Sequence, residues 1–181
     1  MKKDNHTRYA ILGLLTTGCN TGYSIKQMID NSLSHFWKIS YGQIYPTLKS
    51  LVEEGYASVR ITEQEARPDK KEYQITSAGI QLLQDWLQMP VLELPTEKNE
   101  TLLKLFFSRH QGKVRTLELL DNHKEKLEQR YNTYKGIKEM IESRLSDGED
   151  AVYWIMTLDY GLLTTNAAID WCESAKEKLT K

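Results

Sequence analysis

Between Ser40 and Gly55 the chain reads Ser-Tyr-Gly-Gln-Ile-Tyr-Pro-Thr-Leu-Lys-Ser-Leu-Val-Glu-Glu-Gly, a run with a marked start, a marked stop and two faces of opposite character. Ser40 is a favoured N-cap, and Gln43 three positions on completes the S-x-x-Q box that satisfies orphan backbone donors reciprocally. A helix therefore starts at residue 41. Ile44, Leu48, Leu51 and Val52 recur at helical period as one apolar face, and Gly55 is placed to end the helix in the left-handed conformation. The opposite side carries Gly42, Gln43, Pro46, Lys49, Ser50 and Glu53, flanked by Tyr41, Tyr45 and Thr47. That side is short, polar and open to close approach. Pro46 deletes a backbone hydrogen bond inside the helix and predicts a bend in its first turns. Alone, the run fits either a helix that offers its polar face to a ligand or a Pro-kinked core helix with a solvated face.

The flanking segments separate these two readings. Tyr9, Ala10, Leu12, Leu14 and Leu15 predict a short apolar helix, Gly18 to Gly22 a turn, and Ile25, Met28, Ile29, Leu33 and Phe36 a second amphipathic helix before Trp37. Two helices and a turn ahead of the capped run are the parts of a helix-turn-helix. After Gly55, Ala57, Val59 and Ile61 alternate with polar residues, as do Tyr73 and Ile75, on either side of Arg67-Pro68-Asp69-Lys70-Lys71. This is a β-hairpin with a charged tip. Thr76 then caps a fourth helix with Ile80, Leu83, Trp86 and Leu87 as its apolar positions. The expected fold class is mainly α: a winged helix-turn-helix with a two-stranded β-wing over residues 1–89, then an α-helical dimerisation domain.

Leu12-Gly-Leu-Leu, Gly22-Tyr-Ser-Ile, Ser40-Tyr-Gly-Gln-Ile-Tyr-Pro-Thr-Leu, Gly55-Tyr, Arg67-Pro, Tyr73-Gln-Ile-Thr and Ala78-Gly resemble, in order and spacing, the DNA-binding domain of PadR-type bacterial transcriptional regulators. The resemblance runs over about residues 8 to 88. It continues more loosely through Leu103-Lys-Leu-Phe-Phe107 and through Leu158-Asp-Tyr-Gly-Leu and Ala168-Ile-Asp-Trp171, which are similar to the long helical C-terminal domain of the AphA-like PadR subfamily. It implies a homodimer on double-stranded DNA with a pseudo-palindromic operator, a repressor in preference to an activator. In some relatives a small aromatic effector releases the DNA; AphA-like relatives respond through protein partners. No cofactor is implied.

Composition limits how DNA is held. The 181 residues are 40% hydrophobic and 27% charged with a net charge of -1, so attraction to phosphate must come from a local patch. Lys38 and Lys49 flank the capped helix with no acid from residue 37 to 52, and Arg67, Lys70 and Lys71 face one Asp69 at the hairpin tip. The tip taken alone also reads as a charged solvated turn. The candidate DNA-binding set is Lys38, Ser40, Tyr41, Gln43, Tyr45, Pro46, Thr47, Lys49, Arg67, Lys70 and Lys71. The cations would supply salt-dependent affinity, while Gln43, Tyr41 and Tyr45 would touch base edges or fix the helix in register; residue type and the resemblance carry these roles.

Pro90 and Pro95 bracket Val-Leu-Glu-Leu, which predicts an extended connector over residues 90–98 before a helical domain over 99–181. There Leu117, Leu120, Leu127, Tyr131, Tyr134, Ile141 and Leu145 fall on 3-4 spacing, interrupted by Lys124 and Lys138; after the Ser146-Asp-Gly148 break, Ile155, Leu158, Leu162, Thr165, Ile169 and Cys172 do the same. Two long helices fold back on each other, each with a seam. So small a core points to a second copy, with Leu127, Tyr131, Tyr134, Ile155, Leu158, Leu162 and Ile169 as candidate dimerisation residues; packing of the stripes against the N-terminal domain of the same chain is the alternative. Phe107, Tyr131, Trp154 and Trp171 are candidate effector contacts, and the same aromatics also read as plain core.

Enzyme chemistry finds no motif. His6, His35, His110 and His123 are scattered, no phosphate loop or nucleophile elbow occurs, and Cys19 and Cys172 are too few for a metal site. Neither a membrane span nor a signal-peptide apolar region is present, so the expected location is the cytoplasm, with reduced thiols. Cys19, beside a turn, would be an oxidation sensor only with a lowered pKa. A different class of function stays open: a winged-helix adaptor for proteins with a helical scaffold, which would need an apolar exposed patch on its third helix.

Overall fold

The computed structural model describes residues 6–33, 36–63, 70–94, 97–144 and 148–181. The chain is mainly helical and divides into two compact units, Met1–Leu94 and Pro95–Lys181. The first is a winged helix-turn-helix: α1 (His6–Thr16), α2 (Gly22–Asn31), α3 (Tyr41–Glu53), the antiparallel strands β1 (Ala57–Thr62) and β2 (Lys70–Ile75), and α4 (Ser77–Gln88). Its core is built where the apolar stripes of the first three helices meet. Ile11, Leu12, Ile25, Ile29, Ile44, Leu48 and Leu51 are fully buried there, and Ala57 and Tyr73 close it from the hairpin.

Each element ends where local chemistry stops it. Thr21 caps α2 by accepting from the Ser24 N–H at 3.0 Å, and the Ser24 hydroxyl accepts from the Thr21 N–H at 3.0 Å. α2 stops at Asn31, earlier than the apolar spacing out to Phe36 predicts, and Phe36 is exposed. At that end the Ser32 hydroxyl and the Ser32 N–H both donate to the Met28 carbonyl, and Ser32, at φ -136°, leaves the helical conformation. Gly55 has φ +80°, which releases the chain from α3 into β1. The wing pairs Ala57 with Ile75 through to Thr62 with Lys70. Thr76 caps α4 by accepting from the Gly79 N–H at 3.1 Å. On α4, Leu83 packs on the core while Ile80 and Leu87 are exposed, against expectation; Trp86 stacks flat on Tyr9 with ring centres 4.7 Å apart.

The second unit holds α5 (Glu100–Phe106), a 3-10 turn at Ser108–His110, α6 (Lys113–Arg144) and α7 (Ala151–Thr180). α6 and α7 form an antiparallel hairpin. Leu120, Leu127, Tyr134 and Ile141 are buried at intervals of seven, and on α7 Ala151, Thr165 and Cys172 are buried at multiples of seven, with Leu158 half-buried between the first two, as two supercoiled helices require. Ion pairs fix the register: Lys176 to Asp121 at 2.6 Å, Lys124 to Glu173, and Lys138 to Asp159 at 2.6 Å. Pro95, Leu145, Ser146 and Asp147 lie outside the described residues.

Candidate nucleic-acid interface

α3 is held at its start by its own cap and by α2. The Ser40 N–H and the Ser40 hydroxyl both donate to Gln43 Oε1 at 3.1 Å. Gln43 therefore commits its carbonyl oxygen to the cap, which leaves the amide Nε2 as its group for the base contact expected of it. Tyr41 donates its hydroxyl to Asp30, and the Lys26 ammonium sits 4.2 Å above the Tyr41 ring centre. The hydrogen bond to the Asp30 carboxylate raises the Tyr41 phenol above its ordinary pKa. Tyr45 lays its ring on Gly22: a Cβ at Gly22 would come within 2.6 Å of it, so a side chain there would push the Tyr45 ring out of this position. The wing is tied to the same corner, because the Tyr73 N–H donates to the Asn20 carbonyl at 2.7 Å. Burial pushes the Tyr73 phenol up, and the nearby Tyr45 adds to it.

At the other end α3 is tied to α1, through a residue that sequence reasoning missed. Arg8 Nη2 pairs with Glu54 Oε2 at 2.8 Å, and the Ser50 hydroxyl donates to Glu54 Oε1 at 2.6 Å. The Ser50 hydrogen bond, opposed in part by desolvation and helped by Arg8, holds the Glu54 carboxyl below the usual carboxylate range. Arg8 and Glu54 are 46 positions apart, and no local pattern announces such a pair.

Between these anchors Pro46 sits inside a helix that runs unbroken from Tyr41 to Glu53. Gly42, Gln43, Tyr45, Pro46 and Lys49 are exposed, but Thr47 is not: only 9% of it is accessible. Thr47, expected on the flank, turns instead toward Arg8, Ser50 and Glu54, which line one shallow cleft with it. Lys38 is exposed just ahead of the cap. Lys49 lies 3.6 Å from Glu53, and Lys70 pairs with Glu72 at 2.7 Å; Lys70, then Arg60, holds the Glu72 carboxyl down. Lys71 is exposed opposite Ile61. Arg67 lies outside the described residues. Lys26 and Arg60 were missed too; each shows its place only after α2 docks on α3 or Arg60 is paired with Glu72. Exposed ion pairs of this sort are worth little, so exchanging the carboxylate partner for another anion would cost little.

This arrangement has relatives. Residues 11–85 match the transcriptional regulator PadR-like family and residues 97–180 match the virulence activator alpha C-terminal family. The negative transcriptional regulator PadR of Bacillus subtilis is 32% identical over 180 residues, covering 96% of this chain and 97% of that protein. The chain belongs to the PadR-like family of transcriptional regulators. Among solved structures, Bacillus subtilis PadR in complex with operator DNA superposes with a TM-score of 0.85 at 30% identity, over 96% of this chain and 98% of the other. The same regulator in complex with p-coumaric acid gives a TM-score of 0.80 at 29% identity, over 96% and 98%. The Vibrio cholerae virulence activator AphA gives 0.71 at 26% identity, over 96% and 97%.

The C-terminal half of this PadR-like chain departs from several expectations. Leu127 and Tyr134, expected at a dimer seam, are 7% and 6% exposed, buried within the α6–α7 hairpin. The Tyr134 ring lies against Gly161, where a Cβ would approach it to 2.7 Å. Tyr131, Ile155, Leu158, Leu162 and Ile169 are half-buried. The large apolar side chains that α7 leaves in solvent are others: Val152, Tyr153, Met156, Tyr160 and Leu163, of which Val152, Met156, Tyr160 and Leu163 are spaced on one face of the helix. Of the four effector candidates, Phe107 is exposed, and Tyr131, Trp154 and Trp171 are half-buried. Trp154 and Trp171 lie on one continuous helix, about 25 Å apart along its axis. One small-molecule cavity in a single chain cannot hold both. Cys19 and Cys172 are buried, and burial pushes the Cys172 thiol up.

Proposed function

We propose that this chain is a homodimeric, sequence-specific DNA-binding repressor of transcription, with α3 in the major groove of a pseudo-palindromic operator and the wing along the backbone. The observation that carries this reading is the anchored, exposed polar face of α3 beside a cationic wing, in a chain whose relative was solved on operator DNA at a TM-score of 0.85. One recognition helix spans only a few base pairs, and a second copy supplies the other half-site about one DNA turn away. Residues 1–89 form the DNA reader, 90–98 the connector and 99–181 the dimerisation domain. The exposed stripe Val152, Met156, Tyr160 and Leu163 favours α7 as the dimer contact. Repression follows the related negative regulator, and modulation by a small aromatic acid follows the same relative's complex with p-coumaric acid. The protein acts on DNA in the cytoplasm and performs no catalysis. Gln43, Lys49 and Ser50 on the outward face of α3 speak against a protein adaptor there.

Fluorescence anisotropy of the full chain on the DNA upstream of its own gene, with scrambled competitor and a salt titration, tests this. Tight, competitor-resistant, salt-sensitive binding is expected. Binding no better than to the scrambled duplex, followed by failure to enrich any site from a random library, would overturn it.

A further inference from the structure

Gly42 stands in the first turn of α3, exposed, and a Cβ built on it meets no atom within 4 Å. Its backbone is not left-handed; Gly18, Gly55 and Gly112 are the glycines that are, among the described residues. Alanine would fit and would make a better helix. Nothing among the described residues asks for glycine here, in contrast to Gly22, whose missing side chain makes room for Tyr45.

One turn on, Pro46 has no N–H to offer the Gly42 carbonyl. The helix is thus weakened twice on one exposed face, at positions that are neighbours on its surface. The side chains around them are tied elsewhere: Tyr41 to Asp30, Gln43 to Ser40, Tyr45 against Gly22. What remains in the middle is a bare strip of Gly42 backbone and Pro46 ring. It carries no charge and no side-chain donor, which suits it poorly to phosphate. The floor of the major groove offers it one apolar group, the 5-methyl of thymine.

We infer that Gly42 is the point of closest approach between α3 and the operator bases, a specificity-determining position kept bare so that it and Pro46 seat a thymine methyl. The inference rests on the DNA-binding reading above. It predicts readouts of opposite sign for one substitution. Gly42→Ala raises Tm by about 1–4 °C and lowers operator affinity by about ten- to hundredfold through overpacking at the contact, while low-salt binding to scrambled DNA is unchanged. Gly136→Ala in α6, where a Cβ also meets nothing within 4 Å, raises Tm and leaves operator binding as it was.

The decisive experiment is anisotropy of wild type, Gly42→Ala and Gly136→Ala on the selected operator and on a set of operators with each thymine replaced in turn by deoxyuridine. At one position per half-site the wild type loses affinity when the methyl is removed, and there the Gly42→Ala deficit shrinks because the alanine methyl fills the vacated space. If Gly42→Ala binds the operator as wild type does, or its deficit is the same on every substituted operator, the inference is wrong. If the wild type itself selects no site, the DNA-binding reading falls and this inference falls with it.

Discussion

α3 and α7 both bury one apolar stripe and both leave a second face in water, and they finish that second face in opposite ways. α3 is tied down at both ends, through Tyr41 to Asp30 of α2 and through Glu54 to Arg8 of α1, and leaves Gly42 and Pro46 bare between them. α7 ties down its charges, Glu173 and Asp159, against Lys124 and Lys138 of α6, and leaves Met156, Tyr160 and Leu163 projecting. A face whose large aromatic side chains are already held suits a rigid, hydrated polymer, because less side-chain entropy is lost on docking. A face of projecting apolar groups suits a surface of the same kind, and a second copy of the helix is one. The same alternation of apolar and polar positions therefore serves two kinds of partner, depending on what the exposed half is made of.

The sharpest way to break this contrast is to exchange a buried seam residue of the hairpin for a projecting one. Tyr134→Ala removes a ring packed on Gly161 and is expected to cost about 3–5 kcal/mol, read as a large fall in the thermal or urea midpoint. Met156→Glu with Leu163→Glu, at positions 63% and 72% exposed, is expected to leave the fold's midpoint nearly unchanged when corrected for concentration and to yield monomers in sedimentation. A double variant that unfolds as readily as Tyr134→Ala, or one that stays dimeric, would remove α7's outer face from the comparison.

These expectations also mark how far the sequence was legible. The limits of α3 were readable because caps are local: Ser40, Gln43 and Gly55 act within a few positions of themselves. The hairpin strands were readable for the same reason, through two-residue alternation. The α6 and α7 seams were half readable. Spacing by three and four finds every position facing an apolar neighbour, but it does not say whether that neighbour belongs to the same chain, so Leu127 and Tyr134 were assigned outward although the hairpin buries them. Thr47 failed differently: on the edge of a stripe, a shift of one position decides burial. Arg8 had no local signal at all, since its partner Glu54 is brought to it only by the packing of α1 on α3.

A smaller effect sharpens the α3 side. Lys49 has Glu53 beside it at 3.6 Å, both well exposed, and Lys71 is exposed on the wing. Lys49→Ala and Lys71→Ala are each expected to weaken binding to operator and scrambled duplex alike and to lower the slope of log K against log salt by about 1. Slopes unchanged in both would mean that phosphate is met by other cations, Lys26 and Arg60 being the next to test. Gly42→Ala is expected to do the reverse, since a cation would set affinity on all DNA and a bare position would set it on one sequence.

The smallest effect concerns a polar anchor of the α3 type inside the C-terminal unit. Thr101 on α5 lies 3.1 Å from His123 Nδ1 on α6, and α5 buries none of its residues fully. Burial, then the positive charges of Arg130 and Lys126, holds the His123 pKa below its ordinary value. The unfolded chain therefore takes up this proton first as pH falls, near about 6.5, so the stabilisation is complete above that pH and drains away as pH drops through the lower folded value. α5 amides are expected to exchange faster at pH 5 than at pH 8, after correction for intrinsic rates, and His123→Gln is expected to flatten that difference. Equal pH dependence in the variant would show that α5 is held without the Thr101–His123 contact, with Leu105 its one half-buried apolar side chain, and α5 would then differ more completely from α3, which polar contacts anchor at both ends.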